Sequence, residues 1–128
     1  MPRPPSTQPT EVELQILRAL WENGPSTVRA IHEHLVDQRD TTYATTVKML
    51  VVMLDKGLVS RDDSVRPQIY KAAASQSRTQ KQMLNNLIKK VYDGSTSSLV
   101  LQALSSTKAS KEDVAKIRQL LEQLEEDA

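Results

Sequence analysis

After Gly57 the hydrophobic period of the chain changes, and that change limits the possible folds more than any other feature. Before it, apolar residues recur at helical spacing. Beyond it, two short β-prone runs, Leu58-Val59-Ser60-Arg61 and Gln68-Ile69-Tyr70-Lys71-Ala72, flank the charged stretch from Asp62 to Pro67. Alternating apolar residues around a polar tip read as a β-hairpin. Helical segments that end in a hairpin describe a winged helix-turn-helix, so the expected class is mainly α with a small β-hairpin.

Three helices precede the hairpin. Thr10-Glu11-Val12-Glu13 reads as a capping box, in which the hydroxyl accepts from a backbone N–H and Glu13 reaches back. Leu14, Ile16, Leu17, Leu20 and Trp21 follow close to helical spacing, and Asn23-Gly24-Pro25 ends the helix. Trp21, the only large aromatic of the first 42 positions, is expected in the core. Ser26 or Thr27 caps a short second helix holding Val28, Ile31 and Leu35, and residues 36–42 read as a loop. A third helix is expected from Tyr43 to Lys56, with Val47, Leu50, Val51 and Leu54 on one stripe. Residues 1–9 carry four of the six prolines and read as a disordered leader.

The rest is helical again. Gln76–Tyr92 carries Met83, Leu84, Leu87, Ile88 and Val91, and Asp93-Gly94 stops it. A short helix covers Ser95–Leu104, and Ser110 opens a last one with Val114, Ile117, Leu120, Leu121 and Leu124 on a narrow seam. Residues 75–128 offer little apolar area for an independent unit, so these residues are expected to join two subunits. The domain reading is a leader over 1–9, a winged-helix DNA-binding domain over 10–74 and a helical dimerisation region over 75–128. Residues 75–92 hold four basic side chains and no acid, whereas from Glu112 onward acids outnumber bases six to two. Opposite charges on these helices suit a contact within or between chains.

Several functions are disfavoured. The chain has no cysteine, so it offers no disulfide, no thiolate metal site and no thiol nucleophile. Its three glycines stand more than thirty residues apart and build no phosphate loop. His32 and His34 point about 200° apart on a helix, cannot share an ion, and are expected to face solvent. No Ser-His-Asp arrangement is suggested, and the carboxylates are dispersed. Neither an enzyme nor a cofactor protein is expected. No apolar run approaches the roughly 20 residues that span a bilayer, and the first residues lack a signal-peptide core. A cytoplasmic protein is expected. The net charge of +1 is neutral on nucleic acid.

At about 100° per residue, the buried stripe of the third helix centres on Val47. The opposite face then holds Thr41, Thr42, Thr45, Lys48, Met49 and Val52, with Thr46 at its flank. Threonine offers a hydroxyl for base edges or phosphates and a methyl for thymine, and Lys48 can reach a phosphate or guanine. The plainer alternative is that the threonines cap and solvate a helix start. Met49 and Val52 are apolar for a groove face and could instead pack on the wing. In the hairpin, Arg66 is the candidate for backbone contact, against the alternative of a surface pair with Asp62 or Asp63. Tyr70 is expected under the wing.

The order of these motifs resembles the penicillinase-repressor family of winged-helix regulators. Val12–Leu17 and Leu20-Trp21-Glu22-x-Gly24-Pro25-x-Thr27-Val28-Arg29 are similar to its first two helices. Thr45–Leu50 followed by Leu54-Asp55-Lys56-Gly57-Leu58-Val59 resembles its recognition helix and first wing strand, and Arg66-x-x-x-Tyr70 its wing. Tyr92-Asp93-Gly94-Ser95 with Leu99-Val100 resembles the start of its dimerisation region. The resemblance implies a homodimeric repressor on a two-fold symmetric DNA operator, with third helices in major grooves about 34 Å apart. It also implies a membrane-bound sensor metalloprotease as a partner. The pair aligned with the family's cleavage site is Gln102-Ala103. Copper-responsive relatives carry C-terminal cysteines, which this chain lacks. Two other functions stay open: a winged-helix protein-interaction module without DNA binding, and a regulator answering to a small molecule.

Overall fold

The computed structural model describes residues 8–128. Most of the expected leader therefore lies outside the described residues. Its last two positions do not behave as leader: both are half-buried, and the Lys56 ammonium donates to the Gln8 carbonyl at 3.0 Å.

Helix α1 (Glu11–Asn23) starts on the capping box that the sequence suggests. The Thr10 hydroxyl accepts from the Glu13 N–H at 3.2 Å, and the Glu13 carboxylate accepts from the Thr10 N–H at 2.8 Å. Gly24, at φ +77°, ends the helix in a conformation that side chains rarely adopt. Strand β1 (Ser26–Thr27) comes next, then α2 (Val28–Val36), α3 (Tyr43–Asp55), β2 (Val59–Asp62) and β3 (Ile69–Ala72). The sheet is antiparallel in the order β1-β3-β2, with Tyr70 opposite Ser26 on one side and Arg61 on the other. The hairpin is thus joined by a strand absent from the sequence reading. Two residues carry no measurable period, and Thr27 also caps α2 by accepting from the Ala30 N–H at 3.2 Å.

Ile16, Leu17 and Leu20 of α1, Ile31 and Leu35 of α2, Leu50 and Met53 of α3, and Val59 and Tyr70 of the sheet form one core. Tyr70 lies under the wing as expected. Trp21 packs at the core's edge, and its indole N–H donates to the Ala74 carbonyl at 3.0 Å. Under α1 a second tie is electrostatic: the Lys56 ammonium sits 2.6 Å from the Glu13 carboxylate, and both side chains are largely buried. Burial alone would raise the Glu13 pKa. The Lys56 and Thr10 hydrogen bonds outweigh it and hold this carboxyl below its usual value.

The buried stripe of α3 is rotated from the expected one. Thr46, Leu50 and Met53 are buried, while Val47 and Val51 are exposed. A threonine occupies a core position and valines stand outside it, so hydropathy points to the wrong face. Thr46 is tolerated inside because its hydroxyl is bonded, as described below.

Two compact units divide after Met83, within α4 (Gln76–Val91). The first turns of α4, including buried Thr79, thus go with the winged helix rather than with the region expected from residue 75. The second unit contains the end of α4, α5 (Thr96–Ser106) and α6 (Lys111–Glu126). Ser95 and Ser110 cap α5 and α6, accepting from the Ser98 and Asp113 N–H groups at 3.1 and 3.0 Å. No residue of this unit is buried. Among the described residues, no helix is long and apolar enough to cross a membrane.

Candidate nucleic-acid interface

Helix α3 is pinned at its start by a chain of hydroxyls. Thr42 is the N-cap: its hydroxyl accepts from the Thr45 N–H at 3.2 Å and lies 2.9 Å from the Thr45 hydroxyl. Thr45 and Lys48 are exposed, Thr41 is half-buried, and Lys48 has no ion-pair partner among the described residues. Thr46 does not belong with them. It is fully buried, donates to the Thr42 carbonyl at 3.3 Å and lies 2.8 Å from His32 Nδ1. The expectation that Thr46 flanks a groove face is corrected accordingly. Met49 leans on the core, whereas Val52 is exposed.

His32 is likewise not the solvent-facing residue expected. Its ring meets Tyr43 edge-on, with centroids 5.5 Å apart, and its bond to Thr46 links α2 to α3. Histidine type gave no hint of this role. Only the packing of two helices brings positions 32 and 46 together.

The wing tip is ordered by its own polar groups. The Ser64 N–H and hydroxyl both donate to the Asp62 carboxylate, holding its pKa below the usual value. Arg61 takes Asp63 as its ion-pair partner at 2.5 Å. Among the described residues Arg66 makes no carboxylate pair; it donates to the Asp63 and Val65 carbonyls at 2.7 and 3.2 Å. An open cleft of about 620 Å³ brings Arg66 beside Arg29, Tyr43 and Thr27. The Arg29–Glu33 contact is 4.0 Å long and highly exposed, so it restrains Arg29 little. Arg29 and Tyr43 are two interface candidates that sequence reasoning missed. An arginine and a tyrosine on helix starts carry no pattern until the wing folds beside them.

In the second unit, Leu84, Leu87, Val91, Val114, Leu120, Leu121 and Leu124 are exposed, and Ile88 and Ile117 are half-buried. Gln102 and Ala103 lie inside α5. Both are exposed, and their carbonyls accept from the Ser106 and Thr107 hydroxyls at 2.7 and 2.6 Å. This segment is helical but not buried.

An exposed helix in the third position, a hairpin wing and unpaired cations beside both define a winged-helix transcription regulator. The penicillinase-repressor family model matches residues 9–123, and the chain belongs to that family. The methicillin resistance regulatory protein MecI of Mammaliicoccus sciuri is 23% identical over 112 residues, covering 88% of this chain and 91% of that protein. The penicillinase repressor of Bacillus licheniformis is 21% identical over 116 residues, covering 91% of each. MecI of Staphylococcus aureus is 22% identical over 112 residues.

Proposed function

We propose that this protein is a dimeric transcriptional repressor that binds a two-fold symmetric DNA operator. The observation that carries the reading is the family match over nearly the whole chain, together with an α3 whose outer face is free of the core. Residues 10–74, with the first turns of α4, bind DNA. Thr42, Thr45 and Lys48 meet the major groove, Thr41 borders it, and Arg66 contacts the backbone. The region from Leu84 onward, where nothing is buried, joins two copies through the leucine seams of α4 and α6. Release follows a signal, by cleavage at Gln102-Ala103 by a membrane-bound sensor metalloprotease. Cutting there separates α6 from the DNA-binding unit and weakens the dimer.

The test is fluorescence anisotropy of the full chain on duplex pools across a salt series. A repressor selects one palindromic sequence, and its affinity falls steeply with salt as counterions are released. Absence of any salt-dependent duplex binding would favour the protein-interaction module instead. Mass spectrometry of the chain from cells given a cell-wall antibiotic tests release: intact protein beside derepressed genes excludes the cleavage route.

A further inference from the structure

Three valines stand on the outside of α3: Val47, Val51 and Val52, which are 37%, 54% and 47% exposed. β-Branched residues are mediocre helix formers, and exposing them to water gains nothing. The core beneath α3 is closed by Thr46, Leu50 and Met53, so the valines are not needed there.

What could cover them is limited by what surrounds them. Lys48 lies among them on the same helix, and Arg29 and Arg66 share the cleft beside Tyr43 at the helix start. An apolar strip of small side chains bordered by exposed cations, of which Lys48 and Arg66 have no ion-pair partner among the described residues, matches a duplex, with phosphates at the rim and base edges in the middle. A protein interface would be expected to bring aromatic anchors. The strip has none, Tyr43 being at its end. In the major groove each base pair presents hydrogen-bonding groups, and only thymine adds an apolar one, its C5 methyl. Against any other base edge, a valine would strip water from donors or acceptors and return no bond.

We infer that Val47, Val51 and Val52 read thymine methyl groups, so that the operator half-site carries A·T pairs under the middle of α3. This rests on the DNA-binding reading above and names the sequence class that it prefers. Lys48, between the valines, and Thr45 supply the polar contacts. The valines make the site sensitive to a single methyl.

Replacing thymine by deoxyuridine removes that methyl and leaves base pairing and hydrogen-bonding groups intact. The full chain first selects its operator from a random duplex pool, and each thymine of the selected half-site is then replaced in turn. Burying one methyl corresponds to about a fourfold gain in affinity. We expect a loss of that size at two or three adjacent positions, and about tenfold or more when all are replaced together. The loss should shrink to less than twofold in Val51→Ala at the position that Val51 covers. Val51 is exposed, so this variant should melt with the wild-type chain. A fully uracil-substituted operator bound within twofold of the original overturns the inference and leaves the repressor reading standing. A chain that selects no duplex at all overturns both.

Discussion

His32 Nδ1 lies 2.8 Å from the Thr46 hydroxyl, a hydrogen bond that ties α2 to α3. The same hydroxyl lies 3.3 Å from the Thr42 carbonyl. A ring of α2 thus holds the first turn of α3, the same turn whose Thr42 and Thr45 face outward.

Asparagine places an amide group where Nδ1 stands, whereas phenylalanine keeps the ring and loses the hydrogen-bonding nitrogen. His32→Asn should keep operator affinity within about twofold. His32→Phe should lose roughly tenfold, the worth of one hydrogen bond to a part-buried hydroxyl, with its affinity for random DNA nearly unchanged. Competition anisotropy against random duplex reads both effects.

The Glu13–Lys56 pair should make the first unit acid-sensitive. The Glu13 pKa is depressed in the folded state, so its stabilisation is fully present above the ordinary value of 4.5 and fades as pH falls through the folded value. Lys56→Met leaves a buried carboxylate without its partner and should cost about 3 kcal/mol at neutral pH. That deficit should narrow toward acid, where Glu13 is neutral in both proteins. Urea melts at several pH values check the sign.

In the proposed dimer, Leu120→Asp should separate the two copies. Sedimentation should give a monomer whose circular dichroism keeps the winged-helix signal. Operator affinity should fall sharply, since each head retains half the contacts. A Leu120→Asp chain that still sediments as a dimer would move the interface elsewhere.

Arg66→Ala should weaken binding to all duplexes alike and lower the salt slope by about one unit, because a backbone contact carries no sequence information. Arg29→Ala should do the same. If either variant instead alters preference at one base pair, that arginine reads a base edge.

How much of this was legible depended on the range of the interaction. The caps at Thr10, Thr27 and Ser110 are bonds to a residue three positions away, and the sequence carries such bonds openly. The winged-helix order followed from them and from the period change at Gly57. Thr46 was misplaced because its burial depends on a partner in another helix. The valines were misplaced with it, since a stripe centred on Val47 makes Val51 a core residue. The strand Ser26–Thr27 was invisible for the same reason: it exists only because β3 lies beside it. Arg66 was left between two partners until Arg61 was seen to take Asp63.

The central place of β3 bears on how the protein stays dispersed when many copies gather. With β1 on one side and β2 on the other, β3 has no open hydrogen-bonding edge to offer another chain. The edges that remain are two residues long at β1 and four at β2, and the β2 edge carries Arg61 and Asp62. Short, charged edges are poor templates for strand addition. Wings brought close together on neighbouring sites would therefore slide past one another rather than zip into a shared sheet.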